Sequence, residues 1–180
     1  MGRNNANMVT LTFGSFPRSA NHYTLEALHQ TFDATQIRAV QHSIKALAEA
    51  EQAVTTIRHP LECIPSWIMF TADKRANRTE RILEWYIAYY TMIEEHDPLI
   101  FSFENITQNA NQCMHIVAER HGLPTINDKP NLDLTSNFHM PTLDKTDFET
   151  LKIEIQQANL YQQAIDTYHN VLVKCAKVDK

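Results

Sequence analysis

A short stretch near the start of the chain concentrates residue types that hold anions. In Gly14–Asn21 (GSFPRSAN), Arg18 supplies a fixed positive charge and Ser19 a hydroxyl. The apolar run Val9–Phe13 precedes the loop, and a helical pattern of Tyr23, Leu25, Ala27, Leu28 and Phe32 follows it. Strand, loop, helix is an order that aims backbone N–H groups and the positive end of a helix dipole at one point. That suits a phosphate or a sulfate. The G-x-x-x-x-G-K-S/T of a nucleotide-hydrolysing P-loop is absent: the loop has one glycine, and arginine stands in place of lysine.

Similar residues recur wherever an apolar, β-rich run ends. Gln36–Gln41 (QIRAVQ) ends at His42, and Ala53–Ile57 (AVTTI) at Arg58 and His59, with Ser66 one helix start later. Leu99–Phe103 (LIFSF) ends at Glu104. In open parallel sheets, ligands bind at the carboxyl ends of the strands. Three of the four ends carry cationic or hydroxyl groups, which fits a ligand with more than one anionic group. His42 is of the type that can take a proton near neutral pH, with His22 and His59 as rivals.

The elements that must position these residues alternate along the chain. Strands are expected at Met8–Phe13, 36–41, 53–57 and 99–103. Helices are expected at about His22–Thr31, Ser43–Glu51, Leu61–Thr71, Ile82–His96 and Thr107–His121, and one or two more over Asp147–Lys174. Gly122 and Pro124 stop the helix before them. Residues 1–7 read as a disordered lead-in and 123–146 as a long loop or lid, in which Ser136, Asn137 and His139 could cover a ligand. Short apolar strands alternating with helices argue for a three-layer α/β/α fold with a central parallel sheet of four to five strands.

The totals set outer bounds. A length of 180 residues suits a single domain spanning 1–180, and 43% hydrophobic with 21% charged residues is ordinary for a globular protein. The formal charge of −5 disfavours broad binding to nucleic acid. The three cysteines, Cys63, Cys113 and Cys175, lack motif spacing and read as free thiols of a reducing compartment. No apolar run approaches a membrane span and the first residues do not form a signal peptide, so the cytoplasm is the expected location. The basic run Lys74, Arg75, Arg78, Arg81 reads as a solvated helix start. The stripe Trp85, Tyr86, Tyr89, Tyr90 reads mostly as core, with part of it able to line a groove.

Several motifs, in order, resemble those of the sulfotransferase family. FPRSANHY resembles the family's loop for the 5′-phosphosulfate, in which a proline, a basic residue and a hydroxyl residue precede a glycine. TTIRHPLECIPS resembles its 3′-phosphate motif, an arginine at a strand end with a serine eight residues on, here Arg58 and Ser66. IFSFEN resembles its strand ending in Tyr-Glu-Asp, and VQHSI its strand ending in Thr-His-Leu-Pro, whose histidine is the general base in cytosolic members. The chain departs from the pattern at Ala20 (usually glycine), His22 (usually a hydroxyl residue) and Val40 (often lysine), and it lacks the family's arginine-lysine-glycine loop in its C-terminal part.

The resemblance implies a P-loop nucleoside triphosphate hydrolase-like fold and a donor, 3′-phosphoadenosine 5′-phosphosulfate (PAPS), which leaves as 3′,5′-adenosine bisphosphate (PAP). No metal is required. Pro17, Arg18, Ser19, Ala20, Asn21 and His22 would form the 5′ cradle. Arg58 and Ser66 would grip the 3′-phosphate, His42 would be the base, and Arg18 would act in catalysis. Glu104 would orient a loop or pair with Arg18 or Arg58. The acceptor would be a hydroxyl or an amine at a shallow, open site. The other readings are a non-catalytic nucleotide-binding module and a small P-loop kinase-like protein, the latter disfavoured by the missing lysine and by the lack of an obvious Mg²⁺-binding pair.

Overall fold

Four short strands make one parallel sheet, in the order β2-β1-β3-β4. The computed structural model describes residues 10–129 and 145–178. The strands are β1 (Leu11–Phe13), β2 (Ile37–Ala39), β3 (Ala53–Ile57) and β4 (Leu99–Ser102). The helices are α1 (Asn21–Thr31), α2 (Ile44–Ala48), α3 (Pro60–Thr71), α4 (Arg78–His96), α5 (Phe103–Gln108), α6 (Ala110–His121), α7 (Lys145–Gln156) and α8 (Tyr161–Leu172). The lead-in 1–7 and most of the expected loop 123–146, with Ser136, Asn137 and His139, lie outside the described residues.

The two-residue period of the strands divides the core. Ala53 and Ile57 of β3, with Ile100 of β4, face a cluster built by α2, α3, α4, α7 and α8. Val54 and Phe101 face the other way, with Leu11 and Phe13, onto α1, α5 and α6. A sheet buried on both faces has no polar side to alternate with, so its strands read as short apolar runs. The architecture is the three-layer α/β/α fold expected from the alternation of strands and helices, with four strands.

Local chemistry explains where the elements start and stop. Ser43 caps α2 by accepting from the Ala46 N–H, and Ser102 caps α5 by accepting from Asn105. That second cap ends β4 at Ser102, one residue earlier than expected. It also places Phe103 and Glu104 in a first helical turn. The single helix expected over 107–121 is two, because Asn109 leaves the helical region (φ −134°, ψ 43°) between α5 and α6. Pro60 opens α3 at a position whose N–H would lack a partner anyway, and Pro65 is accommodated within the helix. Gly122 closes α6 in the left-handed region, φ 63°.

The order of the strands creates a switch point. From β1 the chain passes through α1 on one face to β2; from β2 it returns through α2 on the other face to β3, on the far side of β1. The loops after β1 and β3 therefore lead to opposite faces from the carboxyl edge, the place where sheets of this kind bind ligands.

Candidate functional site

The loop leaving β1 lies against the end of β2. A side chain at Gly14 would meet Val40 Cγ2 at 2.8 Å and the Gln41 carbonyl at 2.9 Å, so glycine is what lets the two segments touch. The Ser15 N–H donates to that carbonyl at 3.0 Å.

Further on, φ is positive at Arg18 (63°) and again at Ala20 (66°), but not at Ser19 between them. Alternating hand of this kind turns successive N–H groups towards one side, forming a nest for an anion. Neither left-handed residue is a glycine, so each costs on the order of 1–2 kcal/mol.

Three consecutive carbonyls hold this strained path. Arg58 Nη1 donates to the Arg18 carbonyl at 3.1 Å, Thr56 Oγ1 donates to that of Ser19, and the Thr24 N–H and Oγ1 both donate to that of Ala20 at 2.9 Å. A trans peptide sets each N–H opposite the carbonyl before it. With the Ser19 and Ala20 carbonyls tied inward, the N–H groups of Ala20 and Asn21 face away from those anchors. They join the first turn of α1, which has no side-chain cap and no acidic residue. The nest and the positive end of α1 therefore coincide.

The side chains divide differently from the expectation. Arg18 Nε donates to Ser66 Oγ at 2.9 Å, and its Cζ lies 5.2 Å from the centre of the exposed Phe70 ring. Ser66 is thus the partner of Arg18, where the sequence paired it with Arg58. Burial, and then the charge of Arg58, hold the Arg18 guanidinium below the usual arginine range. Arg58 lies with its Cζ 4.0 Å over the Phe103 ring, and its Nη2 is 3.8 Å from Glu62 Oε2. The arginine partner expected of Glu104 is absent among the described residues: its charge is felt by His59, Tyr168 and Cys175, while Glu62 faces Arg58.

The remaining loop residues take distinct places. Pro17 is buried and His22 is exposed. Ser19 Oγ is fully buried beside the Cys63 thiol and the Tyr90 phenol, without a hydrogen bond of good geometry. Its backbone, not its hydroxyl, faces the loop. Asn21 accepts from Ser15 Oγ, and its amide nitrogen is 3.3 Å from His42 Nδ1.

His42 joins this group through the same nitrogen, 2.8 Å from the Ser15 carbonyl oxygen. A carbonyl only accepts, so Nδ1 donates its hydrogen to Ser15 and the Asn21 amide nitrogen is its neighbour, not its donor; in the neutral ring that leaves the lone pair on Nε2. The His42 ring meets Trp67 and Trp85 edge-on, with centroids 5.9 and 6.1 Å away. Trp67 also stacks on Phe70 at 5.9 Å.

Of the rival bases, His59 is occupied. Its Nδ1 accepts the Leu61 N–H at 3.2 Å as the cap of α3, and its ring packs on Tyr168 at 5.0 Å. Burial pushes its pKa down, which keeps the capping lone pair available.

Other groups settle into structural roles. Tyr86 and Tyr90 donate to the carbonyls of Arg58 and Thr56, so α4 holds the end of β3, and Tyr89 is fully buried with them. Trp85 alone of that stripe is half-exposed. Of the basic run, Arg75 pairs with Asp73 before α4 and Arg78, the first residue of α4, pairs with Glu154, while Lys74, Arg75 and Arg81 are exposed. A cleft of about 830 Å³ between the end of α1, α6 and residues 122–128 is lined by none of the candidate site residues.

Sequence reasoning missed Thr24, Thr56, Glu62 and Lys152. The i,i+4 spacing of Arg58 and Glu62 was a usable signal. Lys152 and the two threonines act through backbone or tertiary contacts that have no local signature.

Fold and site together define a doubly wound α/β/α protein with a strand–loop–helix cradle at its switch point. No family model matches the chain, and no curated protein matches it in sequence. Among solved structures it is similar to the crystal structure of mouse sulfotransferase SULT7A1 complexed with PAP. The identity is 12%, over 86% of this chain and 68% of that one, with a TM-score of 0.48. No helix of the described residues is long and apolar enough to cross a membrane.

Proposed function

We propose that the protein is a small sulfotransferase that moves a sulfuryl group from PAPS to a hydroxyl or amine acceptor. One observation carries the reading. The nest at Arg18–Ala20, the uncapped start of α1 and His42 are joined through Ser15 and Asn21 at one end of the sheet, and Arg58 is hydrogen-bonded to the same loop.

In this reading the loop N–H groups and Arg18 hold the 5′-phosphosulfate, and Arg58 holds the 3′-phosphate. His42 Nε2 takes the proton of the acceptor O–H or N–H. The acceptor atom forms a bond to sulfur as the bond from sulfur to the phosphate oxygen breaks, and that oxygen leaves with the electron pair on PAP. Arg18 and the α1 dipole stabilise the leaving charge. The edges of Trp67 and Trp85 bound the space before His42 and favour an acceptor with a flat apolar body. The short chain between α1 and β2 supports an open acceptor site.

The test has two parts. PAP is expected to raise the melting temperature, and ATP with Mg²⁺ is not; a preference for ATP would overturn the reading in favour of a kinase-like protein. Transfer of radiolabelled sulfate from PAPS to a panel of phenols, alcohols and amines is then measured for wild type and His42→Ala. Binding of PAP without transfer leaves the non-catalytic module. Unchanged transfer by His42→Ala removes His42 as base.

A further inference from the structure

Glu62 carries two cations on one carboxylate. Its Oε1 is 2.9 Å from Lys152 Nζ on α7, and its Oε2 is 3.8 Å from Arg58 Nη2. The closer contact is with the lysine from the distant helix, although Arg58 is only four residues before Glu62 in the chain. Lys152 is itself anchored: Nζ lies 3.4 Å from Glu149 Oε1 and 4.9 Å from the centre of the Phe148 ring. A cation fixed in this way draws the Glu62 carboxylate towards α7. Arg58, held by the Arg18 carbonyl and the Phe103 ring, has its Nη2 left at the longer distance.

We infer that Lys152 is a positioning residue for the anion site. It restrains Glu62, which otherwise competes with a ligand phosphate for Arg58. A carboxylate and a phosphate monoester seek the same guanidinium edge, and only one can have it in bidentate form. Without Lys152, nothing described on α7 holds Glu62 back, and the attraction of opposite charges closes it onto Arg58. The inference rests on the reading of Arg58 as a phosphate ligand and adds a control on that ligand's affinity. It also gives the C-terminal helices a part in the site, in a region where the sequence offers no second clamp.

The inference predicts a sign pattern that simple loss of charge does not. Affinity for PAP is measured by calorimetry for wild type, Glu62→Gln, Lys152→Met, the double variant and Arg58→Ala, with melting curves to confirm folding. Glu62→Gln is expected to bind PAP about fivefold tighter, and Lys152→Met about fivefold weaker, the scale of partly exposed ion pairs. The double variant is expected to bind like Glu62→Gln, because Lys152 has no effect once its charge partner is gone. Equal weakening by Lys152→Met in both backgrounds would mean that Lys152 touches phosphate directly, and would overturn the inference. So would a Glu62→Gln affinity equal to or below wild type. If Arg58→Ala binds PAP as wild type does, or if wild type does not bind it, the underlying reading falls and takes this inference with it. If Arg58→Ala loses binding while the other variants match wild type, this inference alone falls.

Discussion

The guanidinium of Arg58 donates to the backbone carbonyl of Arg18 at 3.1 Å, joining the loops after β3 and β1 across the switch point. One arginine therefore does two things: it places a positive charge at the switch point, and it holds a left-handed residue in its strained backbone. A charged donor on a partly buried carbonyl contributes about 1.5–3 kcal/mol. Arg58→Ala is expected to lower stability to urea by about that amount and to abolish PAP binding. Arg58→Lys tests the division of labour. A lysine keeps the charge but cannot reach the Arg18 carbonyl while presenting a second donor edge, so binding is expected to fall even where stability recovers. Wild-type binding in Arg58→Lys would show that charge alone suffices.

Ala20 stands at φ 66°, where glycine carries no steric cost, and it is the N-cap of α1 without a side-chain bond. Glycine is a better N-cap than alanine and relieves the left-handed clash, but it adds chain entropy to the unfolded state. The balance favours glycine, so Ala20→Gly is expected to stabilise the protein by up to about 1 kcal/mol in urea melts. Ala20→Val should destabilise it, because a β-branched side chain fits this region worst. If Ala20→Gly melted earlier than wild type, the strain assigned to this position would be absent.

The sheet was legible because β3 and β4 are buried on both faces, which leaves short runs of β-branched and aromatic residues with no alternation to confuse them. β3 is read to the residue from AVTTI and the proline beyond it. The break at Asn109 was not legible: asparagine is tolerated within a helix, and nothing in side-chain type marks the residue that leaves the helical region. At the site, the loop and His42 could be found from their positions after strands. The pairing could not. Arg58 and Ser66 have the spacing of partners, yet Arg18 reaches Ser66 across 48 residues because the sheet sets β1 beside β3. Contacts made through a carbonyl, such as that of Arg58 on Arg18, leave no trace in side-chain type.

His59 caps α3 with an unprotonated ring nitrogen, and burial holds its pKa below the ordinary 6.5; burial, and then Arg120, act in the same direction on His121. A base whose folded pKa is depressed binds protons more readily when unfolded. Its contribution is complete above about pH 6.5 and is lost as the pH falls from there through the folded value. Urea midpoints are therefore expected to be flat from pH 7 to 8 and to decline below 6.5. His59→Asn keeps an acceptor for the Leu61 N–H and removes the titration, so its decline should be shallower. An identical pH profile in His59→Asn would show that the acid sensitivity arises elsewhere.

Burial pushes the thiols of Cys63, Cys113 and Cys175 each up to about 12, so little thiolate exists at neutral pH. Cys63 lies directly beneath the loop, and its inertness matters because an alkylated thiol there would displace Ser19. A disulfide reagent at pH 8 is expected to react with none of the three on a timescale of minutes in the native protein, and with all three after unfolding. Slow native reaction should follow the unfolding rate. Rapid labelling of one cysteine without urea would reveal a thiol whose surroundings are more polar than its burial implies.

Both tryptophans of the chain, Trp67 and Trp85, stand within 6.1 Å of the His42 ring centre, measured between centroids, and 6.2 Å from each other. Indole emission is therefore a reporter of the space before His42, with no tryptophan elsewhere to dilute it. An acceptor with a flat ring seated there is expected to quench that emission, and 4-nitrophenol is a suitable probe. Trp67 is half-exposed and stacks on Phe70, so replacing it should cost little stability. Aromatic contact contributes about 0.5–1.5 kcal/mol beyond the area covered, so Trp67→Ala is expected to raise KM for a phenolic acceptor roughly three- to tenfold. It should leave the affinity for PAP unchanged, because in the proposed function the donor is assigned to the nest and Arg58 and not to this wall. Loss of PAP binding in a folded Trp67→Ala would place the nucleotide against this wall and move the acceptor elsewhere.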